Sequence, residues 1–530
     1  MGNEIQDNGV AVVPPKETVQ HIMPAEDTVF RLEVPQVTWW KDPGLRKLYL
    51  MFPILFIAST IKGYDGSLLN GLQTMEPWRD QFGHPQGSTI GLFTAILQIG
   101  SFSALPVSPY IADKFGRRLG VAVGCVVIII GAILQVVPSV NRGMFLGGRF
   151  LVGLGSNISE ACAPILISEL AHPQHRGKVT TMFNTLWFLG SIIAAWTVFG
   201  TTKYKTSASW KIPVGIQAAL PAFQLFACWL LPESPRWLIA QDRDGEAFKI
   251  LAKYHANGDE QSQFVKDEFL EVHEAIRLEK LYSNQGWMVL LQTPGNRKRV
   301  MLILMTAFFS QCSGNGLVSY YIHSILTSIG IEGSTDQSLI NGGLQIWSLI
   351  VAVSFSLMVD KMGRRKLFLS AGIGMLVTFS IWTACSAVYA ETGNTNAGST
   401  VIAMIFCYYG MAGFAWPGLT IGYCAEILPY NIRAKGLSLT FAGVAVASIL
   451  NQYVNPIGLQ HLAWKFYIVY IVILVIECLC IYFFYVETRG SSLEELAVLF
   501  DGEDSNVAGK HGTMGEVMKA REESDHIEQA

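Results

Sequence analysis

The sequence has little charge for its length. Only 15% of its 530 residues are Asp, Glu, Lys or Arg, whereas an ordinary soluble domain has about 25%. The net charge is −3, so the chain lacks the basic excess that binds nucleic acid. Hydrophobic residues make up 51% and aromatic residues 11%. This composition argues against a large soluble enzyme and indicates a protein that crosses a lipid bilayer several times.

The patterns of several chemistries are also missing. All nine cysteines fall in apolar segments without the spacing of metal ligands, so we interpret them as small buried hydrophobic residues. A G-x-x-x-x-G-K-[ST] signature is lacking, which argues against a pump driven by ATP. Residues 1–20 are polar and contain no signal-peptide core. We expect no cofactor, no metal site and no enzymatic activity.

Apolar segments long enough to cross a membrane recur along the whole chain. A spanning helix needs about 20 mostly apolar residues. The sequence predicts twelve such helices, at residues 48–72, 90–112, 119–138, 143–168, 179–200, 212–231, 299–328, 338–359, 367–390, 400–425, 437–458 and 464–486. We refer to them as spans 1 to 12. The predicted fold class is therefore an all-α membrane protein.

The two halves of the sequence repeat each other. "DKFGRR" at 113 returns as "DKMGRR" at 360, and the spacing from Glu169 to Arg176 returns from Glu426 to Arg433. Such a duplication is a known transporter architecture with its site between the halves. It predicts two pseudo-symmetric six-helix bundles, 48–231 and 299–486, joined by cytosolic linker helices in 232–298. The remaining segments of the chain are two tails, residues 1–47 and 487–530.

Orientation follows from the basic loops. Residues 113–120, 172–179, 360–366 and 431–436 are rich in Lys and Arg and lie on one face. Short loops of this kind face the cytoplasm. We therefore expect both termini, at 1–47 and 487–530, to be cytoplasmic.

Several motifs resemble the sugar porter family of the major facilitator superfamily. They are "GYDG" in span 1, "GGRFLVGLG" in span 4, "PESPRWL" after span 6 and "SQCSGNGLVSYY" in span 7. Within the family, "KDPGLRKLY", "ELAHPQHRGK" and "LAKYHANGD" resemble fungal lactose permeases and cellodextrin transporters. The resemblance implies a monomer in the plasma membrane. It would import a disaccharide such as lactose or cellobiose, with protons, by alternating access.

Other functions remain open. The chain could carry a sugar acid, a polyol or a secreted metabolite, in either direction. A nutrient sensor that keeps the fold without transport is a further alternative. The sequence does not distinguish these from sugar import.

Ionisable residues at membrane depth are costly and usually face the bundle interior, which makes Asp65, Arg149, Lys62 and Glu160 candidate functional residues. Asp65 of span 1 and Arg149 of span 4 match, by resemblance, the family's proton-coupling pair; a static ion pair is the alternative. Lys62 lies one turn before Asp65 and about 15 Å from the outer end of its helix. Lys62 either pairs with Glu160 of span 4, binds a carboxylate on the cargo, or keeps Asp65 ionised.

Amides and aromatic rings make up the predicted sugar site. Amides match sugar hydroxyls and aromatic rings stack on the apolar faces of a sugar. Besides Lys62 and Glu160, the resemblance assigns substrate contacts to Asn184, Gln311, Asn315, Tyr320, Tyr321, Gln345, Trp416 and Asn451. Ser310 and Gly316 depart from the family's hexose pattern, which favours the disaccharide group. Ordinary helix–helix packing is the alternative for the lone amides and for Trp416.

Charged residues at the cytoplasmic helix ends are predicted to form a gate. By resemblance they form salt bridges that keep the inner side closed when the cavity faces outward, although charge that merely sets topology is the alternative. The predicted set is Asp113, Arg117, Glu169, Arg176, Glu233, Arg236, Asp360, Arg364, Glu426 and Arg433.

Overall fold

The structure is a computed structural model that describes residues 34–137, 139–283, 286–356, 362–489, 496, 499 and 500. All regular structure in these ranges is helical, and they contain no strand. The all-α fold class is confirmed. Every predicted span coincides with one helix or with two helices separated by a short break.

Spans 1 to 6 form the N-terminal half. Spans 1, 3, 4 and 5 are continuous helices, whereas spans 2 and 6 are each divided in two. Their bounds are Phe52–Leu72, then Ser88–Ala104 with Val107–Phe115, Arg117–Val136, Arg142–Leu170, Arg176–Thr201, and Ala208–Ile216 with Ala219–Ala227. Two short helices, Pro43–Tyr49 and Glu76–Phe82, flank span 1.

Spans 7 to 12 form the C-terminal half. Spans 7 and 10 are divided, and the other four are continuous. Their bounds are Pro294–Cys312 with Asn315–Ser328, Ser334–Ser356, Arg364–Thr392, Thr395–Ala412 with Trp416–Ile427, Tyr430–Leu462, and Tyr467–Phe484. Span 11 is longer than its predicted 437–458 because its helix continues at both ends.

The breaks have local causes. In span 2, Pro106 separates two helices that meet at 45°, since proline cannot donate the backbone hydrogen bond that a continuous helix needs. In span 7, Gly314 adopts a φ of +107°, a conformation that glycine reaches without steric cost.

By length and apolar character, eight helical segments of the described ranges could cross a membrane. The number is nine if the two helices of span 2 count as one span. One of the eight, Ile432–Phe484, contains the two predicted spans 11 and 12.

The halves pack in a symmetric way. Within the N-terminal half, span 1 packs on span 5 and span 4 on spans 2 and 3. Between the halves, span 2 packs on span 11 and span 5 on span 8. The polar residues of spans 1, 4, 7 and 11 lie among these packed helices.

Linker helices cover one end of the N-terminal half. They are Pro235–Ala240, Asp244–His255 and Gln263–Ser283, whereas the fourth linker helix, Val289–Gln292, packs on spans 7 and 11 of the C-terminal half. An apolar stripe of Gln263–Ser283 packs on the neighbouring linker helices through Phe264, Phe269, Val272 and Ile276. The linker therefore has small hydrophobic clusters of its own.

Candidate functional site

The Asp65 carboxyl group is almost completely buried in the middle of span 1, with 1% exposed. Ser156 of span 4 donates a hydrogen bond to Oδ2 at 2.7 Å. Gln217, between the two helices of span 6, donates one to Oδ1 at 2.7 Å. A hydroxyl can donate or accept, and an amide can present either its nitrogen or its oxygen. The pocket can therefore hold Asp65 with or without a proton.

Arg149 lies in the same region but makes no direct ion pair with Asp65. The Arg149 side chain is 2% exposed, and its Nε donates to the Phe93 carbonyl of span 2 at 2.9 Å. Its Nη1 has no hydrogen-bond partner in the described part of the chain. The opposite charges are still near enough to attract each other. A buried guanidinium with an unused donor can accept a new partner.

Lys62 and Glu160 form an ion pair between spans 1 and 4, one turn from Asp65 and Ser156 respectively. Of the three interpretations of Lys62, this geometry matches the pair. Their side chains are 32% and 25% exposed, so the pair borders open space rather than the packed core. The lysine charge therefore already faces a carboxylate.

Polar side chains of the C-terminal half gather around the break of span 7. Ser448 of span 11 donates to Gln311 Oε1 at 3.3 Å, and Asn451 donates to the Gln311 carbonyl. Asn315 donates to the Ser310 carbonyl at 3.1 Å. Gln311 and Asn315 are half-buried. The structure thus brings Gln311, Asn315 and Asn451 together, as the predicted sugar site requires.

Contacts between the halves close the end of the bundle away from the basic loops. Asn70 donates to the Val318 carbonyl at 3.3 Å and accepts from the Ile322 amide at 3.2 Å. Gln73 donates to the Tyr320 carbonyl at 2.8 Å. These bonds join the end of span 1 to the second helix of span 7.

The two predicted tyrosines belong to this closure. Tyr321 is fully buried, and its hydroxyl donates to the Gln452 carbonyl of span 11. Tyr320 is half-buried, and its backbone takes part in the bond from Gln73. Whether either ring contacts a substrate remains a prediction.

Three predicted substrate residues lie apart from the span 7 cluster or on its edge. Trp416 packs in the hydrophobic core with its ring 5.0 Å from that of Phe368 and 7% exposed. The structure therefore places Trp416 in core packing, the alternative to a stacking role. Asn184 is exposed. Gln345 is 8% exposed and donates to Asn341 at 3.3 Å.

The charges of the predicted gate form one set in each half. In the N-terminal half, Arg117 binds Glu169 at 3.1 Å and Asp113 at 3.5 Å, and Glu233 accepts from the Arg117 amide at 3.1 Å. Arg236 is near enough to attract Glu169. These contacts stay within one half, so a gate between the halves remains a prediction.

The C-terminal set mirrors the first. Arg364 binds Glu426 at 3.0 Å, and Glu487 accepts from the Arg364 amide at 2.7 Å. Arg433 donates to the Leu428 carbonyl at 3.2 Å. Arg176 of the first half is exposed. Asp360 lies outside the described residues.

A family model described as "Sugar (and other) transporter" matches residues 51–500, which is most of the chain. The chain belongs to this transporter family. It is a multi-pass membrane transporter and not an enzyme.

Curated relatives and solved structures agree with that assignment. The chain is 28% identical to the MFS-type transporter criB of Aspergillus cristatus, over 84% of this chain and 91% of the relative. It is 27% identical to a high-affinity glucose transporter of Kluyveromyces lactis, over 86% and 85%. The inward-open xylose transporter XylE of E. coli shares the fold, with a TM-score of 0.70 and 19% identity, over 86% of this chain and all of that one.

Some residues at these sites of the transporter were not predicted. Ser156 and Gln217 hold Asp65, and Glu487 completes the C-terminal charge set. The sequence contained signals for two of them. Ser156 lies two helical turns after Arg149, and "VETRGSSLEEL" echoes the "PESPRWL" that supplies Glu233. Gln217 carried no such signal.

A cluster of two histidines and a glutamate fixes the linker to the N-terminal half. Its members are His172, His255 and Glu268. His255 is buried between Glu268 Oε2 at 2.7 Å and the Leu170 carbonyl at 3.1 Å. Both partners accept hydrogen bonds, so both ring nitrogens must carry a proton. Burial lowers the pKa of His255, but the charge and hydrogen bond of Glu268 and the Leu170 carbonyl outweigh it and raise the pKa overall.

His172 behaves in the opposite way. Its ring lies 5.4 Å from the ring of His255, and its Nδ1 accepts from the Gln174 amide at 3.3 Å. Burial and the positive charge of His255 lower the pKa of His172 to about 4. The cluster therefore holds one positive charge, on His255, opposite Glu268.

Proposed function

We propose that this transporter imports a sugar together with protons, with a disaccharide such as lactose or cellobiose as the preferred cargo. The site lies between the bundles 48–231 and 299–486. The observation that carries the proposal is the buried Asp65 carboxyl, which has neutral partners in a pocket that also contains an incompletely bonded Arg149.

Proton coupling follows from the choice between these partners. An ionised Asp65 is attracted to Arg149, whereas a protonated Asp65 loses that attraction and keeps its bonds to Ser156 and Gln217. The groups involved lie on three spans, with Asp65 on span 1, Arg149 and Ser156 on span 4, and Gln217 in span 6. Loading or releasing the proton therefore changes the forces between spans, which can shift a two-state equilibrium.

The amide cluster of the C-terminal half supports a sugar as cargo. Gln311, Asn315 and Asn451 offer donors and acceptors for hydroxyl groups. Relatives that are named glucose transporters also support a sugar. The preference for a disaccharide over a hexose follows from Ser310 and Gly316, which replace the residues of the family's hexose pattern.

The Lys62–Glu160 pair weighs against a sugar acid as cargo. An anionic cargo would have to displace Glu160 from Lys62, or bind a lysine whose charge is already matched. A neutral sugar meets no such competition. The partly exposed pair instead forms a polar wall beside the Asp65 pocket.

Alternating access accounts for the contacts at the two ends of the bundle. The hydrogen bonds of Asn70 and Gln73 close the outer end, so this state opens its site toward the cytoplasm. When the outer end opens, the charge sets around Arg117 and Arg364 pair across the halves as the inner gate. We place the protein in the plasma membrane as a monomer with both termini in the cytoplasm.

Uptake measurements test the proposal. Cells or vesicles that contain the chain are supplied with labelled lactose, cellobiose, glucose and gluconate at several external pH values. We expect uptake of a disaccharide that rises as external pH falls, because the proton gradient drives it. Lys62→Asn should change sugar affinity while leaving gluconate unused.

Four results would contradict the proposal in different places. Uptake that ignores the proton gradient for every sugar would exclude symport, and preferred glucose uptake would exclude the disaccharide. Gluconate uptake that depends on Lys62 would make the chain an anion carrier. The absence of any cargo movement, in a chain that still binds sugar, would indicate a sensor.

A further inference from the structure

Glu477 is an acidic residue in the middle of span 12, within the apolar run "YIVILVIECLCIYFF". It is fully buried. The described part of the chain offers it no ion pair, and its Oε1 has no hydrogen-bond partner. A carboxylate anion in such a place is costly, since neither water nor a cation compensates its charge.

The hydrogen bonds around Glu477 can accommodate a proton on its carboxyl group. Ser313 Oγ lies within hydrogen-bond distance of both Glu477 Oε2 and the Phe309 carbonyl. A serine hydroxyl has one hydrogen to donate. If Ser313 donates to Phe309, the other contact is satisfied only when Glu477 donates to Ser313. The protonated acid therefore completes a chain from Glu477 through Ser313 to Phe309.

No cationic group faces Glu477 among the described residues. Span 9 approaches it through Gly372, where a Cβ atom would lie 3.6 Å from Oε1. The break of span 7 contributes Ser313. The titratable neighbours are neutral, namely Tyr408 of span 10 and, in its own segment, Cys478, Cys480 and Tyr485. The proton is thus the simplest means of neutralising this side chain.

The contact with Ser313 places Glu477 beside the break of span 7. Ser313 and Gly314 form the break of span 7. Tyr408 donates to the Ser313 carbonyl at 2.7 Å, and Tyr409 donates to the Asn315 carbonyl at 2.9 Å. The helix beyond the break, Asn315–Ser328, is the one that Asn70 and Gln73 hold at the closed outer end.

We propose that Glu477 is a second proton-binding site of the transporter, loaded while the break of span 7 rests on it. When Asn315–Ser328 moves away to open the outer end, water reaches the carboxyl and its proton exchanges with the outer solution. The role in transport rests on the proposed function, whereas proton binding by Glu477 does not. The two can therefore fail separately.

Infrared spectroscopy of the purified full chain tests the proton directly. We expect a band of a protonated carboxylic acid at neutral pH that is lost in Glu477→Gln and retained in the matched control Glu391→Gln, whose side chain is exposed. A spectrum at neutral pH that is the same for the parent and Glu477→Gln would overturn the proposal. If Glu477→Gln does not fold, Glu477→Asp retains the acid and should shift the band instead.

Hydrogen exchange tests the link to span 7. At alkaline pH the backbone amides of Asn315–Ser328 should exchange several-fold faster in the parent than in Glu477→Gln. The reason is that the glutamate side chain ionises at this pH and the glutamine side chain of the variant cannot. At acidic pH the two chains should match, and Glu391→Gln should follow the parent throughout. A Glu477→Gln chain that differs from the parent by the same factor at every pH would reduce Glu477 to a structural residue.

Discussion

At the scale of single residues, close helix contacts depend on particular glycines. Gly190 of span 5 lies so near span 1 that an added Cβ would come within 1.9 Å of the Thr60 carbonyl. Gly63 of span 1 meets the Trp187 carbonyl equally closely. Small residues of this kind let membrane helices approach each other. The packing of span 1 against span 5 therefore has no room for a methyl group at these points.

The matched pair Gly190→Ala and Gly200→Ala tests this contact. Both glycines lie in span 5, but nothing approaches within 4 Å of a Cβ at Gly200. We expect Gly190→Ala to cost about 1–3 kcal/mol of stability through overpacking. Gly200→Ala should be neutral or slightly stabilising. Thermal unfolding in detergent measures both, and equal melting temperatures for the two variants would contradict the close contact.

The sequence was most informative about which residues avoid lipid. Asp65, Arg149, Lys62 and Glu160 were singled out because charge is costly at membrane depth, and Asp65 and Arg149 are indeed almost fully buried. The cost of charge at membrane depth applies to Glu477 as well. No repeat or motif marks this residue in span 12. The resemblance assigns a sugar contact to Trp416, whereas in the structure its ring packs in the core against Phe368.

At the scale of elements, the linker helix Asp244–His255 is docked by its last residue. His255 meets Glu268 of the next linker helix and the end of span 4 at the Leu170 carbonyl. Arg176 opposes its positive charge, whereas His172, whose pKa is lowered to about 4, faces it as a neutral ring. Because the pKa of His255 is raised in the fold, its charged form stabilises this docking.

We predict that docking of Asp244–His255 weakens as pH rises. The stabilisation is complete below the pKa of an unfolded histidine, about 6.5, and is lost as pH rises through the higher pKa of the folded state. Each pH unit that separates the two pKa values contributes about 1.4 kcal/mol. Protection factors for amide exchange in this helix measure the effect. His255→Gln should remove the pH dependence.

The exposed His273 provides the control for this experiment. His273→Gln changes the same side chain on the same linker without touching Glu268, so the pH dependence should persist. Protection that is independent of pH in the parent would show that the charge of His255 does not support docking.

Helix contacts within one half were partly predictable, whereas contacts between helices of different halves were not. The repeat indicated equivalent charge sets around Arg117 and Arg364, and both form. Periodicity cannot tell how far a helix is rotated or broken. The gap between Asp65 and Arg149, and the clustering of Asn451 with Gln311, depend on such rotations and on the state of the molecule.

At the scale of the whole molecule, the halves meet tightly at the end where span 1 finishes. Asn70 contributes two hydrogen bonds to the outer helix of span 7 and Gln73 a third. Buried Tyr321 packs with the aromatic cluster of the N-terminal half at the same end. The balance between the two states of the transporter therefore depends on a few polar contacts.

We predict that Asn70→Ala favours opening of the outer end. Losing two hydrogen bonds costs about 1–3 kcal/mol, which is enough to change the ratio of two states several-fold. Amides of Asn315–Ser328 should then exchange faster than in the parent. The exposed Asn396 in the first turn of Thr395–Ala412 gives the control Asn396→Ala, and equal exchange in both variants would contradict the role of Asn70.

The central claim is that Asp65 carries the proton that moves with the cargo, and proton movement measures it most directly. Vesicles in unbuffered medium receive cellobiose or lactose, and a pH electrode follows the medium. We predict that sugar makes the medium alkaline with the parent chain and with Asp80→Asn, whose carboxyl is exposed. Asp65→Asn should abolish this change while labelled sugar still exchanges across the membrane. Undiminished alkalinisation with Asp65→Asn would contradict the account.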